Sequence, residues 1–133
     1  MKGSHAQGYA KHYNKMAVQT AVDTGSPHRL VQMLFDGAVG KITIAKGHLS
    51  RGEIAQKGQN ISWAISIIEG LRSSLDLEKG GEIAVNLDQL YDYMKRRLVE
   101  ANMNNDPAML DEVTSLLRDI KDAWDAIAPE PGA

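Results

Sequence analysis

Apolar residues recur at alternating spacings of three and four positions in four long segments of the chain. The four rows are Val31-Phe35-Ala38-Ile42-Ala45-Leu49, Ile61-Ala64-Ile68-Leu71-Leu75, Ile83-Leu87-Leu90-Met94-Leu98-Ala101 and Leu110-Val113-Leu117-Ile120-Trp124-Ile127. A spacing that averages about 3.5 residues is typical of helices that bury one face against neighbours at a shallow angle. Because no stretch alternates with a period of two, the pattern predicts an all-α protein.

Turn-forming residues separate these segments. The breaks are Ser26-Pro27, Ser50-Arg51-Gly52, Gly80-Gly81, Asn104-Asn105-Asp106-Pro107, and a closing pair, Pro129 and Pro131. Serine or aspartate before proline is typical of a helix start, and glycine of the left-handed residue that ends a helix. Gly58 and Asn60 have low helix propensity and predict fraying or a kink before Ile61. Short connections make neighbouring helices antiparallel, so we expect an up-down four-helix bundle.

The segment before the bundle differs from the rest of the chain. We assign residues 1–25 to a flexible N-terminal arm or short helix, 26–128 to the bundle and 129–133 to a C-terminal tail. The arm has Tyr9, Tyr13 and Ala17 at helical spacing but few other apolar residues. Such a segment does not hold a helix by itself in water. It is therefore either disordered or docked on the bundle through its two tyrosines.

Composition narrows the range of functions. The chain has 133 residues, no cysteine and a net charge of −2. Its length favours one domain, and the lack of cysteine excludes disulfides and thiolate metal ligands. A nucleic-acid partner is not expected because duplex-binding modules carry a strong positive field. No apolar run is long enough to insert in a membrane, and no apolar leader precedes the bundle, so we expect a cytoplasmic protein.

Signals for catalysis are also missing from the sequence. No glutamate has a histidine three positions later, which a bundle di-iron site requires. Phosphate-binding glycine motifs of the nucleotide-dependent enzymes are absent as well. We therefore predict no catalytic residues, no metal site and no cofactor.

Some apolar residues lie beside the main rows and widen the apolar face of two predicted helices. These are Leu30, Leu34, Trp63 and Ile67. They are either the edge of the core or a groove that accepts an apolar segment from a partner. Gly37 and Gly40 lower the stability of the same helix, and the close approach of another backbone would explain both.

Three motifs together resemble a known family. They are Ser26-Pro27-x-x-Leu30-x-x-Met33-Leu34-Phe35-Asp36-Gly37, then Gly80-Gly81-Glu82-Ile83-Ala84-x-Asn86-Leu87-x-x-Leu90-Tyr91-x-Tyr93-Met94, and finally Ala101-Asn102 with a closing Trp124. Their order and spacing are similar to those of the flagellin export chaperones of the FliS type. The second motif is the most specific of the three. Phe35 departs from the pattern, since tyrosine is expected there.

The resemblance implies a bundle that binds the disordered C-terminal region of flagellin in the cytoplasm. Binding would prevent premature polymerisation and degradation and support delivery to the flagellar type III export apparatus. Leu30, Leu34, Trp63 and Ile67 are the expected groove, with Tyr9 and Tyr13 as a lid. An export-gate component or a co-chaperone is a further expected partner. A monomer suits this function, whereas the alternative, a helical adaptor without a groove, would dimerise through its seams.

Overall fold

The computed structural model describes residues 27–127, and this part of the chain contains four helices. They are α1 (Pro27–Ser50), α2 (Ile54–Ser73), α3 (Gly81–Asn104) and α4 (Pro107–Ala126). No strand occurs between residues 27 and 127. The all-α prediction is therefore confirmed, while the predicted arm, with Tyr9 and Tyr13, and the predicted tail lie outside the described residues.

The helices form a ring in which each packs against two others. The packed pairs are α1–α2, α2–α3, α3–α4 and α4–α1, and the α1–α2 pair shares the largest interface. Because the connections are short, consecutive helices run antiparallel. This arrangement is the up-down bundle that the sequence predicted.

The core contains most of the predicted apolar rows. Its buried apolar residues are Leu34, Phe35, Ala38, Ile42, Ala45, Ile61, Ala64, Ile67, Ile68, Leu71, Ala84, Tyr91, Met94, Leu98, Ala101, Leu110, Val113 and Leu117. Two of them, Leu34 and Ile67, were expected beside the core and not in it. The broad α1–α2 interface explains the difference, because it buries a wider arc of each helix than a row spaced at 3.5 residues covers.

Ile83 is a second departure from the predicted rows. Its side chain is 73% exposed, although it continues the row of Leu87, Leu90 and Met94. Ile83 lies in the first turn of α3, at the end of the bundle, where the connection 74–80 replaces the body of α2. Ile83 therefore follows the helical period of the core row, but none of the four described helices covers it.

The α3–α4 connection follows the prediction closely. Asp106 caps α4 by accepting a hydrogen bond on its side chain from the backbone N–H of Ala108, and Pro107 is the first helical residue. Asn105 takes a left-handed conformation with φ of 51° and ends α3. These short-range signals are local, which is why the sequence predicted this boundary well.

The predicted fraying of α2 near Gly58 is wrong, because α2 runs without interruption from Ile54 to Ser73. Lys57 is buried in this region, 2% exposed, and its Nζ donates to the Asn102 carbonyl at 2.8 Å and to Asn105 Oδ1 at 2.6 Å. Both acceptors lie at the C-terminal end of α3, where carbonyl groups have no partner within the helix and the helix dipole favours a cation. Lys57 therefore ties the start of α2 to the end of α3, and its burial lowers its pKa.

Candidate functional site along the first helix pair

The two sides of α1 have different neighbours. One side contacts α4: His28 stacks on Trp124 with ring centroids 4.6 Å apart, and Lys46 Nζ lies 2.7 Å from Asp111 Oδ1. The Trp124 indole N–H also donates to the His28 carbonyl at 3.0 Å. The other side of α1 faces α2, and it carries the residues that the sequence singled out.

All four predicted groove residues lie on the α1–α2 pair, but at two different depths. Leu34 and Ile67 are buried in the core, at 4% and 0% exposure. Leu30 and Trp63 are half-buried and pack against that core from outside. The four residues therefore form two layers: Leu30 and Trp63 are partly exposed, and Leu34 and Ile67 lie in the core.

Trp63 has a neighbour that sequence reasoning missed. The ammonium group of Lys41 lies 3.5 Å from the centroid of the Trp63 ring, so a cation–π interaction joins α1 to α2 at this level. Lys41 follows Leu34 by seven residues, which is two helical turns, and therefore lies on the same side of α1. That spacing was the signal available in the sequence.

Two further features of α1 adjoin Lys41. An added Cβ at Gly40 would meet no atom of residues 27–127 within 4 Å, so no close contact in this part of the chain accounts for the glycine. Ile44 is among the exposed large apolar residues, one turn along the helix. Within residues 27–127, therefore, no other backbone makes the expected close approach to Gly40.

The α2–α3 seam is bordered by charged groups instead. Arg72 Nε donates to Asp88 Oδ1 at 2.6 Å, and Lys95 pairs with Glu69 on the same side of the two helices. The hydrogen bond to Arg72 holds the pKa of Asp88 below its ordinary value. These pairs join the two helices across their solvent-facing edge.

The α3–α4 seam has a similar border. Glu112 of α4 accepts hydrogen bonds from the Tyr93 hydroxyl at 2.5 Å and from Arg97 Nε at 2.8 Å. These bonds lower the pKa of Glu112, and the bond to Glu112 raises the pKa of Tyr93. The polar groups along this edge of α3 are therefore hydrogen-bonded to α4.

Residues 27–127 offer no cluster of three or more histidine or carboxylate side chains suited to a metal ion. In the same stretch, none of the helices combines the length and apolar character needed to cross a bilayer.

Comparison with known proteins points to one family. Residues 9–131 match the family described as flagellar protein FliS. The flagellar secretion chaperone FliSB of Pseudomonas aeruginosa is 46% identical over 124 residues, which cover 93% of this chain and 98% of that protein. The flagellar secretion chaperone FliS of Salmonella typhimurium is 49% identical over 121 residues, or 90% of each chain.

A more distant relative has the same description. The flagellar secretion chaperone FliS of Bacillus subtilis is 36% identical over 106 residues, 80% of this chain and 78% of that protein. Similarity of this extent covers all four helices of the bundle. The chain belongs to the FliS family of flagellar proteins.

Proposed function

We propose that the protein is a flagellar secretion chaperone that binds the disordered C-terminal region of flagellin in the cytoplasm. It acts by binding, without catalysis. Binding prevents premature polymerisation and degradation of flagellin and supports its delivery to the type III export apparatus. The observation that carries this proposal is the match to the FliS family along residues 9–131, together with relatives named as flagellar secretion chaperones.

The physical mechanism rests on burial of apolar surface. Segments that pack flagellin subunits together are amphipathic, so in the free subunit their apolar faces favour self-association. Ordering a flexible segment costs about 2–5 kcal/mol of the gross interaction energy. The contact must therefore be extensive and largely apolar, and it requires no nucleotide. An open helix surface beside a half-buried tryptophan suits such a contact.

Within this proposal, the α1–α2 groove consists of Leu30 and Trp63 at the surface. Leu34 and Ile67 lie beneath, in the core, and hold the two helices at the spacing that the groove needs. Lys41 covers the Trp63 ring in the free protein, and its flexible side chain can move aside for the client. Tyr9 and Tyr13 are proposed to cover the groove until the client displaces them.

Calorimetric titration with a peptide of the flagellin C-terminal region tests the proposal. Truncating an aromatic anchor at the centre of an interface costs about 2 kcal/mol or more, so Trp63→Ala should weaken binding roughly 30-fold. Trp124→Ala is the matched control, since Trp124 is also half-buried but stacks on His28 at the α1–α4 side. The affinity of the Trp124→Ala variant for the flagellin peptide should change little.

Two results would contradict the proposal. Absence of binding by the wild-type protein would remove flagellin as the client. Equal losses for both tryptophan variants would remove the α1–α2 groove as the site. Sedimentation of the same samples distinguishes the adaptor alternative, because a stable dimer that ignores the peptide would favour it.

A further inference from the structure

The connection between α2 and α3 is held in one conformation by its own hydrogen bonds. Asp76 Oδ1 accepts from the backbone N–H groups of Glu78 at 3.1 Å and Lys79 at 3.0 Å. The Asp76 carbonyl accepts from the Gly80 N–H at 2.8 Å. Three bonds to one residue fold the chain tightly around Asp76.

The two glycines that follow are required for different reasons. An added Cβ at Gly80 would lie 2.6 Å from the Ala84 Cβ and 2.8 Å from the Asp76 carbonyl oxygen, so no larger residue fits there. Gly81 has φ of +55°, a left-handed conformation that favours glycine. The sequence predicted one left-handed glycine at this break, and the structure assigns that conformation to Gly81, at the start of α3.

This tight connection presents two large apolar side chains to solvent. Leu77 is 50% exposed and Ile83 is 73% exposed. Because the backbone between them is fixed by hydrogen bonds and by the two glycines, their exposure does not come from a loose loop. Apolar groups held in place lose little conformational entropy on binding, which favours a docking surface.

The charges around these two residues are predominantly negative. Between positions 76 and 82 the chain has three carboxylates, on Asp76, Glu78 and Glu82, and one amine, on Lys79. Asp76 is engaged in the turn, while Glu78 and Glu82 are exposed and lie between Leu77 and Ile83 in sequence, each next to one of them. Charge complementarity at an interface therefore calls for a partner with positive charge.

We propose that Leu77, Glu78, Glu82 and Ile83, the α2–α3 turn surface, bind a basic amphipathic segment of a second protein. The apolar residues of that segment cover Leu77 and Ile83, and its lysine or arginine side chains pair with Glu78 and Glu82. This surface lies beyond the C-terminal end of α2, whereas Trp63 lies within that helix. The proposal stands on the geometry of the turn and does not depend on the identity of the client.

The test uses full-length protein and two designed helical peptides. Both have leucine on one face, and the other face is lysine in the first peptide and glutamate in the second. We expect calorimetric binding of the lysine peptide only, with amide NMR shifts centred on Gly80, Gly81 and Ile83. Ile83→Ala should weaken binding about tenfold, since it removes most of an exposed apolar contact.

Matched variants distinguish specific binding at the α2–α3 turn surface from nonspecific hydrophobic association. Glu78→Gln with Glu82→Gln should weaken binding about threefold and reduce its dependence on salt. Val99→Ala removes another exposed apolar side chain of α3, far from the turn, and should leave binding within twofold of wild type. All of these positions are exposed, so the variants should remain folded.

Several outcomes would overturn the proposal. Equal binding of the two peptides would exclude charge recognition, and an unchanged affinity for Ile83→Ala would exclude the apolar contact. In the free protein, shifts of residues 1–26 caused by Ile83→Ala would identify the chain's own N-terminal segment as the occupant. Shifts of the turn that depend on protein concentration would identify a second copy instead.

Discussion

The α1–α2 pair and the seams around α3 are built differently. The α1–α2 interface is the largest in the bundle, and Leu34 and Ile67 extend it beyond a narrow row. Ion pairs instead border both sides of α3, for example Arg72–Asp88 and Arg97–Glu112. Between α1 and α2 the ion pairs lie in the turn, where Glu53 contacts His48 and Arg51, and farther along the helices Lys41 meets Trp63 through a cation–π interaction.

This contrast bears on the proposed client site. Ion pairs between partly exposed side chains add little stability, and along α3 they engage the charged groups of both seams within the protein. Along α1 and α2 the outer edge is instead a half-buried tryptophan, an exposed isoleucine at position 44 and an open glycine at position 40.

The largest expected effect comes from removing the apolar interior of the α1–α2 pair. Ile67→Ala should lower the free energy of unfolding by about 2–5 kcal/mol, because it deletes a fully buried side chain and leaves a cavity. Chemical denaturation measures this directly. Leu30→Ala is the control on the same pair, where partial burial should limit the loss to a smaller value. Similar losses in the free energy of unfolding for both variants would mean that Ile67 in the core and Leu30 at its edge do not differ in their contribution to stability.

A pH experiment compares two tyrosines of α3, Tyr91 in the core and Tyr93 at the polar edge. Burial raises the pKa of Tyr91 to about 12. Below pH 10 the hydroxyl is neutral in both states; above it the unfolded chain loses a proton that the folded protein retains, so stability falls as pH rises to about 12. The loss should reach about 2.5 kcal/mol, since one unit of pKa corresponds to about 1.4 kcal/mol.

Tyr91→Phe should remove this loss, as measured by denaturation at a series of pH values from 9 upward. Tyr93→Phe is the comparison, because the pKa of Tyr93 is raised by its hydrogen bond to Glu112 at the surface and not mainly by burial, so this variant should retain the part of the decline that comes from Tyr91. A decline with pH that persists unchanged in Tyr91→Phe would show that ionisation of another group causes it.

How well the sequence predicts a structural feature depends on whether that feature comes from residues close together in the chain or from contacts between helices. The helix boundary at Pro107 comes from a local signal, and the structure has it where the sequence predicts. The burial of Leu34 and Ile67 depends on how closely two helices approach, which periodicity alone does not specify. Lys57 was missed because its acceptors are contributed by α3, more than 40 positions later.

For the candidate site, too, the sequence predicts the features that depend on one helix and not those that depend on how two helices pair. Spacing placed Leu30 and Trp63 on a common pair of helices, since each position follows from the period of its own helix. The contact of Lys41 with Trp63 joins two helices and requires their register, which a single sequence does not contain. The exposure of Ile83 depends likewise on where α2 ends.

The smallest expected effect tests the open surface of α1 directly. Gly40→Ala should raise the free energy of unfolding by about 0.5–1 kcal/mol, because alanine has the higher helix propensity and its Cβ would meet nothing within 4 Å. If the flagellin segment lies against α1 at this point, the same methyl group should weaken binding of the flagellin peptide. A gain in stability with a loss of affinity is the signature of a glycine kept for a partner.

Gly47→Ala on the same helix is the control for that measurement. Its Cβ would lie 3.2 Å from Nη1 of Arg51, so the guanidinium group must move and the gain in stability should be smaller. Affinity for the peptide should not change, because Gly47 is near the turn and away from Trp63. If Gly40→Ala stabilises the protein and leaves affinity intact, the client does not approach α1 closely, and contact with the pair must come mainly through α2.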